Sequence, residues 1–575
     1  METSTELIAY DLIIVGSGNG ACGFLSHYLP HKAIIAPDEK ILVIEEGDDF
    51  FSTSDITHQN NWTQSYGEEN VFKLHNALTP SGLPIISGRA CTMGGGGSIN
   101  YTMIHESSEW LSQQMGHSVD YWDGLKTELN QKFARPNPGD KLSPVSQHIL
   151  EIATKLGFKI NTHTTENIPN YQEGNKQLLH LFPTQFNYFG QRTHSGVFLV
   201  PWSDPRLTLK TRHRVEVLKW EKSSDGIVHC VGVETINLDS GKKVFFALAP
   251  TGKLLLCAGG ATPRLLISHQ ALLSNYAIGK QVSDHIVLPL GIYLLDPKIT
   301  ITGRDVYVPI FATTLWQPET SKAGHEIVCC FDFFSGNFEK LWYLLSHLYL
   351  AFLLPNWVKR IVIRVPLIFY FIKNSIRILI EFINFLIDLL WGISRVLEGK
   401  SWSHENYNLV TAIVRFNPAN EGYYDPQKNK ILLDFFTDNS SSNFNQDLTL
   451  SEQVITEQME LLNNLGNQPH WLVKGIIRWF TKIPYNQQQV SNYIQVYRKK
   501  FLLSQQHLSG GCLFGQVLDQ GLNNPLETGK VFGSNNVYVA DLSSVALPRI
   551  SPQMTAYLIG FHVAKNLCKD SISDH

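Results

Sequence analysis

The chain has little cysteine and little charge for its size. Eight cysteines are scattered over 575 residues, and only Cys329 and Cys330 lie close together. No spacing points to a zinc site or to a disulfide framework. Reduced thiols, no metal and a cytoplasmic setting are therefore expected. Lysine and arginine total 47 against 51 aspartates and glutamates, for a formal net charge of −4. A nucleic-acid partner needs a basic face, and this balance offers none. Internal repeats and long low-complexity tracts are missing too. No cleavable leader is expected either, since the apolar run from Tyr10 already reads as a buried strand. Apolar residues (43%) and glycine (42 residues) are abundant. A chain this long exceeds one hydrophobic core, so two domains are expected.

The first fifty residues carry the clearest pattern. In "DLIIVGSGNGACGFLSHYL" an apolar run meets glycines and then a helical pattern. Gly16, Gly18 and Ala21 fit G-x-G-x-x-G/A, with Asn19 and Gly20 between them. Gly16 permits the sharp turn, Gly18 lets a pyrophosphate approach the backbone, and Ala21 lets the helix pack on the sheet. The helix N-terminus then presents N–H groups and a positive dipole end to phosphate. A second strand, "KILVIEEG", ends in Glu45 and Glu46. Glu45 follows the apolar residues directly and is the candidate for the ribose hydroxyls. Strand, glycines, helix, strand and acid in this order predict a dinucleotide site, without separating NAD from FAD.

A second glycine cluster lies in "SGRACTMGGGGSINYTMI". Four consecutive glycines, Gly94 to Gly97, suit neither a helix nor a strand interior. They suit a loop laid against a ligand. Arg89, Met93, Gly94, Gly95 and Asn100 here resemble a signature of the glucose–methanol–choline (GMC) oxidoreductases, with Gly96 and Gly97 where the family has two serines. "TGKLLLCAGGATPRLLI", containing Ala258, is similar to the family's second signature. "GKQVSDHIVLPL" resembles its Asp-His segment through Asp284 and His285. "LTLKTRHRVEVLKW" resembles the strand whose backbone near Val215 lies by the adenine.

The C-terminal "HLSGGCLFG" and "NNVYVADLSSVALPRISPQMT" are most similar to the sterol-oxidising branch. The resemblance implies FAD, held without a covalent bond because Ile99 stands where some relatives have the linking histidine. It implies that Asp541 lies near the ribityl chain or pyrophosphate, with Pro552 and Gln553 also at the flavin. His507 matches the catalytic histidine; an imidazole can accept or orient a hydroxyl proton at neutral pH. Ser551 replaces the family's asparagine as the second polar group, while Pro552 and Thr555 keep the register. His285 and His562 read as structural.

The fold class that follows is α/β plus an antiparallel-sheet domain: a Rossmann-like FAD-binding domain with a discontinuous substrate-binding domain. The first domain is expected over 1–150, 195–290 and 500–575, the second over 151–194 and 291–499. "KILLDFF" and "NYNLVTAIVRF" are expected as strands of the second domain's sheet.

An apolar insertion is expected at about 336–398. "LWYLLSHLYLAFLLPNWV" has no formal charge but is interrupted by His347, Pro355 and Asn356. After Pro366, one long helix is predicted, with Lys373, Asn374, Arg377, Glu381, Asn384 and Asp388 on a narrow polar stripe. Such a surface can lie in a membrane interface through 341–394, pack in a homodimer or against the substrate domain, or span a bilayer. Interruption and charge disfavour the span. The leading expectation is a peripheral membrane flavoenzyme oxidising the CH–OH group of a lipid, sterol, fatty or isoprenoid alcohol. A redox-neutral reaction on the same fold, a lyase or a light-driven fatty-acid decarboxylase, is the alternative.

Overall fold

The computed structural model describes residues 8–49, 70–100, 108–131, 144–161, 178–180, 199–295 (225 apart), 311–312, 329–336, 354–399, 408–416, 418, 421–435, 452, 456, 463–464, 487–500, 502–519, 528–548 and 551–573. A seven-stranded sheet organises the N-terminal pattern. The first strand (Ala9–Val15) pairs in parallel with Ile41–Ile44 on one side and with Lys243–Leu256 on the other. Leu207–Lys210 extends the sheet past Ile41–Ile44, and Val537–Val539 adds to Lys243–Leu256, both in parallel. His213–Lys222 and Val228–Asn237 complete an antiparallel meander with Lys243–Leu256.

The sheet is covered on both faces, which is why its central strands are unbroken apolar runs. Alternate residues serve different cores. Ile13, Val15, Leu42, Ile44, Leu254 and Leu256 enter one, and Leu12, Ile14, Ile41, Val43 and Leu255 enter the other. The second core is closed by the first helix (Asn19–Ile35) and the last (Pro552–Ser573), through Phe24, Leu25, Leu29, Tyr557, Leu558 and Phe561.

A six-stranded sheet joins distant parts of the chain in the order Ser509–Gly510, Lys280–Ser283, Gly422–Asp425, Lys430–Leu432, Ala77–Leu78 and Pro84–Ile85. A four-stranded antiparallel sheet contains Ile286–Leu295, Asn408–Phe416, Cys329–Gly336 and Phe311–Ala312. The strands expected in "KILLDFF" and "NYNLVTAIVRF" both form, but in different sheets. Lys430–Leu432 pairs with Ala77–Leu78 from the N-terminal region, and Asn408–Phe416 pairs with Ile286–Leu295. Asp284 and His285 sit at the crossover between these sheets, in the two-residue gap after Lys280–Ser283 and before Ile286–Leu295.

The insertion's second half is described; 337–353 lies outside the described residues. Asn356–Val362 is a short helix, and Pro366 opens the long one, Pro366–Leu397. Proline suits a first helical position, where its missing N–H has no partner to lose. The pair is tied down at one end: the Tyr370 hydroxyl donates to the Phe72 carbonyl, and Arg360 donates to the Gly82 carbonyl at 3.1 Å. Further along, Leu367, Phe371, Ile378, Phe382, Phe385 and Leu389 are exposed, with Phe371 at 73% and Ile378 at 70%. Steps of mostly three and four place them along one face. Among the described residues, no helix is long and apolar enough to cross a membrane.

Candidate cofactor cleft and active site

The two glycine clusters meet. Gly16 leaves the first strand at φ +92°, and a Cβ there would lie 2.5 Å from the Cys257 carbonyl oxygen. Only glycine accommodates both the conformation and the contact. Gly95, also at positive φ, packs so closely that a Cβ would come within 2.9 Å of the Gly18 Cα. Gly94 donates its N–H to the Ser17 hydroxyl at 3.2 Å. A side chain on Gly97 would collide with Asn19 Oδ1, which accepts the Tyr557 hydroxyl at 2.7 Å. The four-glycine loop is thus held against the first helix's N-terminus.

Glu45 lies at the base of this turn. Its carboxylate accepts from Ser17 N (3.0 Å), Ser17 Oγ (2.7 Å) and Gly47 N (2.8 Å). Burial raises its pKa, against these hydrogen bonds. Glu46 plays a separate part that the sequence reading did not assign. It accepts from Lys73 Nζ at 2.9 Å and Arg89 at 2.5 Å. Burial pushes its carboxyl up, but the two cations outweigh this and hold it at about 2. His75 is driven down to about 3 by burial and by Arg89 and Arg264.

Next to the glycine turn, Asp541 ties the 257–262 turn to the C-terminal segment. It accepts from Gly259 N (2.8 Å), Thr262 Oγ1 (2.6 Å), Ser543 N (2.8 Å) and Ser543 Oγ (2.6 Å). Burial lifts it to about 6, against those bonds.

His507 is delivered by strand pairing. Ser509–Gly510 pairs antiparallel with Lys280–Ser283, setting Val282 opposite Gly510 and Ser283 opposite Ser509. That register carries His507 to Asp284 and His285. Gly510 sits at φ +81°, and any side chain on it would strike the Gln281 carbonyl. Gln506 itself adopts φ +69°, a conformation that costs a non-glycine residue. The His507 N–H then donates to Asp284 Oδ1 at 2.9 Å, and His507 Nδ1 lies 3.0 Å from His285 Nδ1. His285 thus touches the candidate catalytic ring. Reading it as merely structural missed this contact, which depends on residues 222 apart in sequence.

These walls enclose a cleft of about 290 Å³. Gly16, Gly18, Asn19, Gly20, Glu45, Arg89, Gly95, Asn100, Val215, Ala258, His507, Asp541, Ser551, Pro552 and Gln553 all line it. Ala21 does not; it is fully buried in the core below, where the motif needs a small residue for packing. Gly94 is not a lining residue either and acts through its hydrogen bond to Ser17. Cleft residues to which the sequence reading gave no role include Glu46, His75, His213, Arg264, Gln505 and Gln506. Glu46, His213 and Arg264 lie inside stretches quoted above, but only folding brings them to the cleft. Among the described residues, no cluster suits a metal ion.

The glycine cradle, a helix N-terminus and the half-buried cation Arg89 together fit a dinucleotide with its pyrophosphate. No family model matches the chain, and no curated protein matches it in sequence. Solved structures do. Formate oxidase from Aspergillus oryzae RIB40 is similar with a TM-score of 0.64 at 14% identity, over 98% of this chain and 99% of that one. Pyridoxine 4-oxidase from Mesorbium loti gives 0.60 at 15%, over 97% and 98%. An FAD-dependent oxidoreductase from Chaetomium thermophilum gives 0.57 at 15%, over 98% and 100%. At such identities the likeness establishes the fold: the chain has the GMC oxidoreductase fold over nearly its whole length.

Proposed function

We propose that this chain is an FAD-dependent oxidoreductase of the GMC family that oxidises the CH–OH group of a hydrophobic alcohol. The observation that carries the reading is His507, an imidazole lining the same cleft as the glycine cradle, with Ser551 in the same lining. Bound in the cleft, FAD supplies the acceptor for two electrons from the alcohol carbon. The chain's own part is to hold it and to manage the proton. Gly16, Gly18 and Gly95 leave room for the phosphates, Arg89 supports their charge, and Glu45 receives ribose hydroxyls. His507 takes the substrate hydroxyl proton, and Ser551 holds the oxygen by hydrogen bond. With Ile99 in place of the linking histidine, the cofactor is retained without a covalent bond.

The substrate class rests on the long helix, not on the relatives. Two of them are named for formate and pyridoxine, both small and polar. The face of Leu367, Phe371, Ile378, Phe382 and Phe385 is exposed and apolar, and Arg360 and Arg364 on the preceding turns are exposed cations. That combination suits peripheral attachment to a membrane surface, on its cytoplasmic side, where a lipid, sterol, fatty or isoprenoid alcohol is dissolved. Ser551 in place of asparagine favours one rival: a redox-neutral reaction, a lyase or a light-driven fatty-acid decarboxylation.

The deciding experiment is anaerobic addition of sterols, fatty alcohols and isoprenoid alcohols to the yellow holoenzyme in the dark, with pyridoxine and formate as polar controls. Bleaching by one hydrophobic class supports the proposal. Bleaching by the polar compounds alone removes the lipid assignment. A flavin reduced by dithionite but by no alcohol removes the oxidation itself and leaves the redox-neutral rival.

A further inference from the structure

We propose that His285 is a positioning residue that holds His507 in the tautomer able to take a proton at Nε2. The argument begins at a backbone carbonyl. His285 is completely buried, and its Nε2 lies 2.9 Å from the Pro548 oxygen. A carbonyl oxygen only accepts, so His285 Nε2 carries the proton. Complete burial favours the neutral ring over imidazolium. A neutral ring protonated at Nε2 has a bare Nδ1, which can only accept.

That bare nitrogen faces His507 Nδ1 at 3.0 Å. Two acceptors cannot share a hydrogen bond, so His507 must donate from Nδ1. Its other nitrogen, Nε2, then bears the lone pair. The ring itself lines the cleft. The order of control therefore runs from Pro548 through His285 to His507, with each partner fixing the proton position of the next. The rings meet nearly at right angles, 82° apart with centroids separated by 5.1 Å, so His285 also restricts rotation about the His507 ring.

The neighbouring residue completes the grip. Asp284 accepts the His507 backbone N–H at 2.9 Å. One dipeptide thus holds both the main chain and the side chain of His507. In the proton step, the substrate O–H bond breaks and an Nε2–H bond forms on His507, while its Nδ1–H stays on His507, donated to His285 Nδ1. The use of that proton rests on the oxidation proposed above; the tautomer does not.

The test reads the nitrogens directly. Protein labelled with an NMR-active nitrogen isotope in histidine, FAD bound and no substrate present, should show neutral His507 protonated at Nδ1 and His285 protonated at Nε2. Signals are assigned with His507→Ala and His285→Gln. Glutamine can accept from His507 and donate to Pro548, so His285→Gln should preserve the His507 tautomer. His285→Phe keeps the ring's bulk without an acceptor. It should give a mixture of tautomers at His507 and lower kcat on the order of 10²-fold, with KM changed far less. A wild-type His507 protonated at Nε2 overturns the proposal. So does a His285→Phe variant with an unaltered His507 spectrum. If His285→Phe does not fold, the wild-type spectrum and His285→Gln still decide. The expected tautomers in a protein that oxidises no alcohol sink the functional reading and leave the pair intact. Oxidation with the opposite tautomer does the reverse.

Discussion

Gly560 in the last helix lies directly against the Gly20 carbonyl in the first, so closely that a Cβ on residue 560 would collide with it. Gly20 and Gly23 make matching contacts, with the Ala540 and Tyr557 carbonyls. The two ends of the chain therefore pack backbone to backbone, directly behind the glycine cradle. Gly560→Ala is expected to destabilise the protein by about 1–3 kcal/mol, the usual cost of overpacking a tight contact. Denaturant titration measures this. An unchanged midpoint would mean that the helices separate at no cost.

Asp284 makes stability depend on pH. Burial raises its carboxyl to about 7, against hydrogen bonds that include the His507 N–H. A group raised in the folded state binds its proton more tightly there than in the unfolded chain. Its contribution is fully present below the unfolded value, about 3.9. It is then lost as pH rises through the window to about 7, and is level above that. Asp284→Asn keeps an acceptor for His507 and removes the titration. Relative to this variant, the natural protein should lose stability between about pH 4 and 7. Parallel pH dependences for the two proteins would refute the assignment.

His507→Ala should reduce turnover by on the order of 10²–10⁴ while flavin absorbance is retained. The cradle at Gly16, Gly18 and Gly95 does not involve His507, so cofactor content should match the natural protein. Normal turnover in the variant would remove His507 from the chemistry. Loss of flavin as well would give it a binding role instead.

The exposed face of the long helix should carry membrane affinity. Changing Phe371, Ile378 and Phe382 together to serine removes three apolar side chains. Each contributes at least about 1.5 kcal/mol if fully buried, or roughly tenfold in partitioning. Co-sedimentation with mixed neutral and anionic phospholipid vesicles should fall accordingly. Unchanged vesicle binding, with a dimer that dissociates in the variant, would assign the face to a second copy of the chain.

Much of the cofactor cleft is legible in the sequence because its chemistry is local. A glycine that must turn, a small residue that must pack and an acid at a strand end fall within a few residues of each other. Gly16, Ala21 and Glu45 stand where that local logic puts them. Apolar runs such as Ile41–Ile44 announce strands covered on both faces, and Pro366 announces a helix start. What the sequence alone determined is this set of elements and the positions of the glycines between them.

Only the tertiary structure decided which distant groups touch. Glu45 and Glu46 are adjacent and chemically alike, yet one accepts from the glycine turn and the other from Arg89 and Lys73. Both line the cleft, but Glu46 meets Lys73 and Arg89, which a short antiparallel strand pair sets opposite each other. Likewise, the adjacency of His285 and His507 arises from the register of Ser509–Gly510 on Lys280–Ser283. A register is set by cross-strand hydrogen bonds and by packing on both faces. Neither is recorded in any short stretch of sequence, so the partner that sets the His507 proton becomes visible only once the sheet has formed.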